Sequence, residues 1–276
     1  MEKRVIEILR EIELMEDVKI IYACESGSRV WGFESDNSDY DVRFVYIRPI
    51  KSYFSISPLR DVIDRNKGKE KTSQYIRQLE KDGIDIVGFD ISKTLKMIAD
   101  GNPALAEWLH SPVVYMEKMF VVAALQRLSE RFFKSKAGIY HYVHMAKRNF
   151  TQYIKNVDGD VIIKKYLYVL RPLYACEYII ITNGSVPPMN FSKLIDWSES
   201  SGTKEFSTIK RSVENIITRK REGEELGHGP HVELFDDTCA KLLESYDGYA
   251  KTLGIEALTE EEWQSLDDAF FDLVCK

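Results

Sequence analysis

The chain reads as an α+β N-terminal region followed by an all-helical C-terminal region, with the boundary near residues 112–117. Three observations give this. Short alternating or apolar runs at 18–23, 40–48, 59–64 and 83–89 have the length and patterning of strands. A helix-periodic segment precedes them. After Ser111-Pro112 the pattern changes, and 118–133, 137–156, 161–183, 205–221, 232–253 and 259–274 all carry helical spacing. The expected division is therefore 1–115 and 116–276.

Val5, Ile8, Leu9, Ile12 and Met15 recur at helical spacing, so residues 3–16 form an amphipathic helix. Ile20-Ile21-Tyr22-Ala23 reads as a buried strand, and Val42 to Ile47 as a second. Asn66 to Lys71 is charged and turn-rich, a loop. Asp90 stands as N-cap of a helix over Ile91 to Ala99, closed by Gly101-Asn102-Pro103. Within the helical region, Gly184 to Asn190, with Pro187-Pro188, is the clearest break. There is no internal repeat.

Composition narrows the function classes. The chain has 276 residues and is 44% hydrophobic, yet no run approaches the roughly 20 apolar residues of a membrane span. MEKRVIEILREIELMED carries charges throughout and lacks a signal-peptide core. Cys24, Cys176, Cys239 and Cys275 show no CxxC pairing and read as reduced thiols, so a cytoplasmic protein is expected. The formal net charge of −6 disfavours a whole-surface nucleic-acid binder. Charge is unevenly spread: eight basic against two acidic residues from Lys134 to Arg171, and fifteen acidic against three basic from Glu222 onward. A polyanion is steered to the middle of the chain, unless these are simply solvated helix faces.

Ser26 to Arg43, SGSRVWGFESDNSDYDVR, is the most informative stretch. Gly27-Ser28 follows the apolar run, and Asp39 and Asp41 come at the start of the next. Strand alternation puts Asp39, Asp41 and Arg43 on one face. Two carboxylates about 7 Å apart on one strand face repel each other. They suit hard divalent cations, which take oxygen ligands and pair with phosphates. A tight glycine turn beside them can offer backbone N–H groups and a hydroxyl to a phosphate.

A Gly-Ser turn followed by Asp-x-Asp on a strand resembles the signature of the DNA polymerase β-like nucleotidyltransferases. The wider wording ESGSRVWGF, SDYDVRFVYI and DIVGFDISKTLKMIADGNPALAEWLHSP resembles the RNA repair pathway branch, RlaP. The resemblance covers roughly residues 20–115. It implies a nucleotidyltransferase domain with a mixed sheet, and a helical domain after it. It also implies magnesium (Mg2+)-dependent attack of an acceptor hydroxyl on the α-phosphate of a nucleoside triphosphate, with release of pyrophosphate. Two ions are expected, with manganese as a substitute. Asp39 and Asp41 match the metal pair; Gly27 and Ser28 match the turn that holds the β- and γ-phosphates. This chemistry wants a third carboxylate, for which Asp85 and Asp90 both stand in GIDIVGFDIS, on opposite faces. Asp85 interrupts an apolar run; Asp90 has an N-cap's work to do.

Arg43 either contacts a triphosphate or relieves the repulsion between the aspartates. Arg29 is a phosphate ligand or a surface turn residue, Glu25 a loop residue, and Trp31 and Phe33 are packing. Lys164, Tyr168 and Arg171 fall on one side of a helix and can hold a base and its phosphates, or leave their cations in solvent. His141 with His144, and His228 with His231, lack the partners of a metal set. Arg219-Lys220-Arg221 suits a helix C-terminus without any ligand. The acceptor is open: the family name points to an RNA end, while a protein hydroxyl or an aminoglycoside-like small molecule fits the same chemistry. The rival reading is a non-catalytic nucleotide sensor or a toxin–antitoxin-type partner.

Overall fold

The computed structural model describes residues 1–35, 38–57, 60–64, 82–202, 204–224, 226–254 and 257–275. The loop expected at 66–71 and the start of the 59–64 run lie outside them.

Helix α1 (Glu2–Glu16) buries Val5, Ile8, Leu9 and Ile12, one stripe at spacings of three and four. It stops at Asp17, whose φ of 49° is the left-handed C-cap that aspartate tolerates better than most residues. Strand β1 (Lys19–Ser26) is buried along nearly its whole length. That is the burial of a central strand covered on both faces. Then come α2 (Ser28–Trp31), β2 (Tyr40–Ile47), α3 (Ile50–Tyr53), β3 (Val62–Asp64) and β4 (Ile84–Asp90).

The strands, with β5 (Val114–Glu117), form a five-stranded sheet in the order β3-β4-β2-β1-β5. β2 and β4 are parallel, while the other neighbours are antiparallel, so the sheet is mixed. On one face α1 packs with Ile20, Ala23, Val42, Phe44 and Ile86. On the other, Ile21, Tyr22, Cys24 and Val45 meet helices α4 (Ile91–Ala99), α5 (Pro103–Leu109) and α6 (Met119–Arg131). Asp90 caps α4 by accepting the Ser92 N–H at 2.9 Å, and Asn102 caps α5 by accepting that of Leu105 at 3.1 Å. β5 and α5 were not anticipated from sequence. β5 is a four-residue strand, too short for alternation to register.

The helical region contains α7 (Ser135–Phe150) with a π-turn over Thr151–Lys155, then β6 (Val161–Ile162) and α8 (Lys165–Ile181). It continues with α9 (Phe191–Ser201), α10 (Lys204–Arg221), β7 (His228–Gly229), α11 (Glu233–Thr252) and α12 (Glu260–Cys275). α8 is buried on almost every side, including Leu167, Leu170, Leu173 and Cys176, so it is the hub of its core. Among the described residues no helix is long and apolar enough to cross a membrane.

Two compact units result, and they divide differently from the 115/116 boundary. One comprises Met1–Val30, Ser38–Phe132 and Ala257–Lys276; the other, Trp31–Asn37 and Phe133–Glu256. The reason is packing. α6 and α12 place Val122, Leu125 and Leu266 in the sheet unit's second core, so helical pattern alone does not assign them to the helical unit. Phe33, fully buried, belongs to the core of α7–α11.

Candidate active site

β1 ends at Ser26, which pairs with Asp41 on β2, and Asp41 pairs with Asp85 on β4. Three adjacent strands thus bring the Gly27 turn and two carboxylates to one end of the sheet. Gly27 adopts φ +68°, and a Cβ there would lie 2.1 Å from Asp41 Oδ2. Only glycine lets the turn lie this close against the carboxylate. Ser28, buried, starts α2 directly after it.

Arg43 Nη2 donates to Asp85 Oδ2 at 2.7 Å and lies 3.6 Å from Asp41 Oδ1. The guanidinium is the counter-ion that lets two acids face each other. It does not fully compensate. Burial holds Asp41 above the usual carboxylate range, Arg43 opposes this, and Asp85 and Asp39 push it further up. Asp39 lies one residue before β2, where a Cβ on Gly83 would come 3.0 Å from its Oδ1. The Tyr40 N–H donates to Gly83 O at 2.7 Å, tying that segment to the start of β4. Asp39, Asp41 and Asp85 bring carboxylate oxygens to this end of the sheet, with Arg43 between the last two, and among the described residues no three acids, histidines or cysteines are gathered around one metal-sized point.

Arg29 is engaged by its own loop. Its Nε and Nη2 donate to Ser38 O at 3.2 and 3.1 Å, and its Cζ lies 3.8 Å over the Tyr40 ring. Asp90 pairs with Tyr46, five residues along β4 from Asp85. It is fully buried and accepts from Ser92 and from Tyr53 Oη–H at 3.0 Å. Of the two candidates for a third carboxylate, Asp85 is the one beside Asp41.

The remaining sequence candidates lie in the helical unit. Lys164 precedes α8, and Tyr168 packs edge-on against Phe33, with ring centroids 5.5 Å apart. Arg171 is fully buried, donates Nε to Met189 O at 3.1 Å and lies 4.5 Å over Trp31, so its surroundings are the packed interior of that unit.

Glu25, read from sequence as a loop residue, is central. It is 1% exposed; its Oε1 accepts the Asp41 N–H at 2.7 Å and its Oε2 the Tyr115 hydroxyl. Burial pushes Glu25 above the usual range, against the downward pull of those two bonds. Ser111 Oγ–H donates to Glu25 O at 2.7 Å. Glu25 therefore fixes the backbone that carries Asp41. Its only sequence signal is an acid at the end of an apolar strand, and its partner Tyr115 lies 90 residues away.

A solved structure of a nucleotidyltransferase-like protein from Exiguobacterium sibiricum 255-15 covers 98% of this chain and 90% of its own, with 13% identity and a TM-score of 0.31. An uncharacterized protein of Bacillus subtilis (strain 168), YcgL, is 40% identical over 256 residues, 93% of this chain and 90% of that protein. The model of RlaP, the RNA repair pathway DNA polymerase beta family, matches residues 1–272. The chain accordingly belongs to the RNA repair pathway DNA polymerase beta family, RlaP.

Proposed function

We propose that the chain is a magnesium-dependent nucleotidyltransferase that moves a nucleoside monophosphate from a nucleoside triphosphate to an acceptor hydroxyl, with an RNA end as the acceptor. One observation carries the reading: the Gly27 turn and the Asp41 and Asp85 carboxylates share one end of three adjacent strands.

Carboxylate oxygens are the donors a hard divalent cation takes, and because no three of them are gathered among the described residues, a cation would have to draw Asp39, Asp41 and Asp85 together. Asp41 is held above its usual range by burial and by neighbouring acids, and a bound cation relieves that condition. Asp39 and Asp41 would hold the metal, with Asp85 as third ligand; magnesium there supplies charge neutralisation at the phosphates and a more acidic acceptor hydroxyl. The chain's own groups do the rest. The Gly27–Ser28 turn binds the departing β- and γ-phosphates through N–H groups and the Ser28 hydroxyl. Asp85 accepts the acceptor's proton as the new O–Pα bond forms and the Pα–O–Pβ bond breaks. Glu25 keeps Asp41 in register through the Asp41 N–H.

A second reading, nucleotide binding without turnover, is favoured by Arg43, which already engages Asp85 Oδ2 at 2.7 Å. A catalyst must share or release that oxygen. Calorimetric titration of ATP, GTP, CTP and UTP, each with magnesium and with excess EDTA, tests the site. Metal-dependent binding that disappears in Asp39→Ala/Asp41→Ala is expected; no binding by any of the four overturns it. Asp85→Asn separates the readings, since a catalyst loses turnover and keeps binding, whereas a sensor is unchanged in both.

A further inference from the structure

The opposite ends of β1 and β2 border a different feature. A cavity of about 640 Å³ is lined by Lys19, Arg48 and Lys118 together with Ile21, Ile47 and Val121. That volume lies within the range of about 300–1,000 Å³ typical of small-molecule sites. Lys19 is seven residues back along β1 from Ser26, about 23 Å of strand, so the cavity is remote from the carboxylates.

The strand register assembles its cations. Lys19 pairs with Ile47, the last residue of β2, which sets Arg48, the next residue, near it. The Lys118 N–H donates to Ile21 O at 2.9 Å, which sets Lys118 on the other flank of β1. Neither lysine forms an ion pair among the described residues, although Asp17 and Asp272 line the same cavity. Burial, and then the neighbouring Lys19 ammonium, lower Lys118 to about 8, while Glu13 pulls the other way. Arg48 donates Nη1 to Glu16 O at 3.4 Å and Nη2 to Arg60 O at 3.0 Å; among the described residues its buried Nε has no partner. Adjacent like charges and an unused buried donor are costly for a folded protein to keep. An anion placed among them offsets both costs at once. A phosphate has enough acceptor oxygens for two ammonium groups and a guanidinium N–H. The apolar part of the lining, which includes Leu273 and Val274 of α12, calls for a ligand with an apolar body.

We propose that this cavity binds a small amphiphilic phosphate monoester, its phosphate on Lys19, Lys118 and Arg48 and its apolar body against Ile21, Ile47 and Val121. The site does not depend on the nucleotidyltransferase reading.

The test is calorimetric and ligand-observed NMR titration of the full chain with hexyl phosphate, inorganic phosphate and hexanol. Saturable binding of hexyl phosphate is expected, with inorganic phosphate about tenfold weaker or more and hexanol not binding. That tenfold corresponds to about 1.4 kcal/mol. Lys19→Met/Lys118→Met should weaken hexyl phosphate about tenfold or more, and Lys118→Arg should largely keep it, both being charge-site effects. Asp41→Ala, remote from the cavity, should leave the affinity for hexyl phosphate as it is in the wild type. If the double variant loses its near-UV circular dichroism, Arg48→Gln takes its place, with the same loss expected. The proposal is overturned by no saturable binding, by hexanol binding as well as hexyl phosphate, by equal binding of inorganic phosphate, by indifference to the folded cation variants, or by loss in Asp41→Ala.

Discussion

Gly27→Ala separates a strained turn from a displaced carboxylate. The added Cβ would stand 2.1 Å from Asp41 Oδ2 and 2.9 Å from its Cγ, where ordinary contact begins at 3.4 Å. The carboxylate must therefore retreat by about 1.3 Å, the difference between 3.4 and 2.1 Å, or the turn must open. Placing alanine at φ +68° costs a further ~1–2 kcal/mol. Gly159 supplies the control: its φ is +87° and a Cβ there meets nothing within 4 Å. Gly159→Ala should cost only that ~1–2 kcal/mol in urea denaturation, and Gly27→Ala about 1–3 kcal/mol more, the usual size of an overpacking penalty. On an Asp41→Ala background most of the excess should disappear, because Oδ2 and Cγ are gone and only the milder Cβ contact at 3.3 Å is left. Calorimetry with magnesium and nucleoside triphosphate then reads the functional half, with a loss of about tenfold or more expected from a shift of an ångström at a preorganised site. Unchanged binding in folded Gly27→Ala would refute the idea that this turn and Asp41 form one site. An excess undiminished in Asp41→Ala would refute the steric argument.

Other outcomes follow from the same geometry. Glu25→Ala orphans the part-buried Asp41 N–H and Tyr115 hydroxyl and should cost about 2–4 kcal/mol by denaturant titration, each lost partner counting ~1–2 kcal/mol, the lower part of the range for an unsatisfied group because water still reaches both. A cost under about 1 kcal/mol would mean that water replaces the carboxylate. Gly32→Ala meets Asn190 Nδ2 at 2.6 Å from a φ of +82° and should lower stability by about 2–4 kcal/mol, strain and overpacking together. Phe33→Ala removes a fully buried ring and should cost ~3–5 kcal/mol. His231 sets Nδ1 2.6 Å from Asp236 Oδ2 and Nε2 3.2 Å from Val157 O, two acceptors that both favour the imidazolium; the Asp236 contact is the larger cause of its raised pKa. A raised folded-state pKa means that its stabilisation is complete below the ordinary value of about 6.5 and is lost as pH rises through the folded-state value. The stability gap between wild type and His231→Asn should therefore narrow from pH 5.5 to pH 8.5; a gap that widens would show that the ring is held neutral.

Local signals carried much of this. The α1 stripe, the apolar run of β1 and the alternation of β2 were legible because each is written in consecutive residues. The Asp90 cap was legible because its partner Ser92 lies two residues on. What stayed hidden depends on distant pairing. Asp85 could be singled out as a costly acid in an apolar run, but its place opposite Asp41 comes from parallel pairing of strands more than 40 residues apart. Glu25 looked like a loop acid because the hydroxyl that satisfies it comes from β5, itself too short to read. α12 looks like any amphipathic helix, and only Leu266 meeting the sheet core assigns it.

The chain passes from one unit to the other after Val30, Asn37, Phe132 and Glu256. Neither unit is thus a continuous piece of polypeptide. A fragment spanning Phe133–Glu256 would lack Phe33 and leave a ring-sized hole in the core around Tyr168 and Phe191. A fragment ending at Phe132 would lack Leu266 and uncover part of the sheet's second core. Dissection by truncation will therefore report on damaged halves. Circular permutation, or a split protein rejoined from two fragments, is the way to ask what each unit does alone.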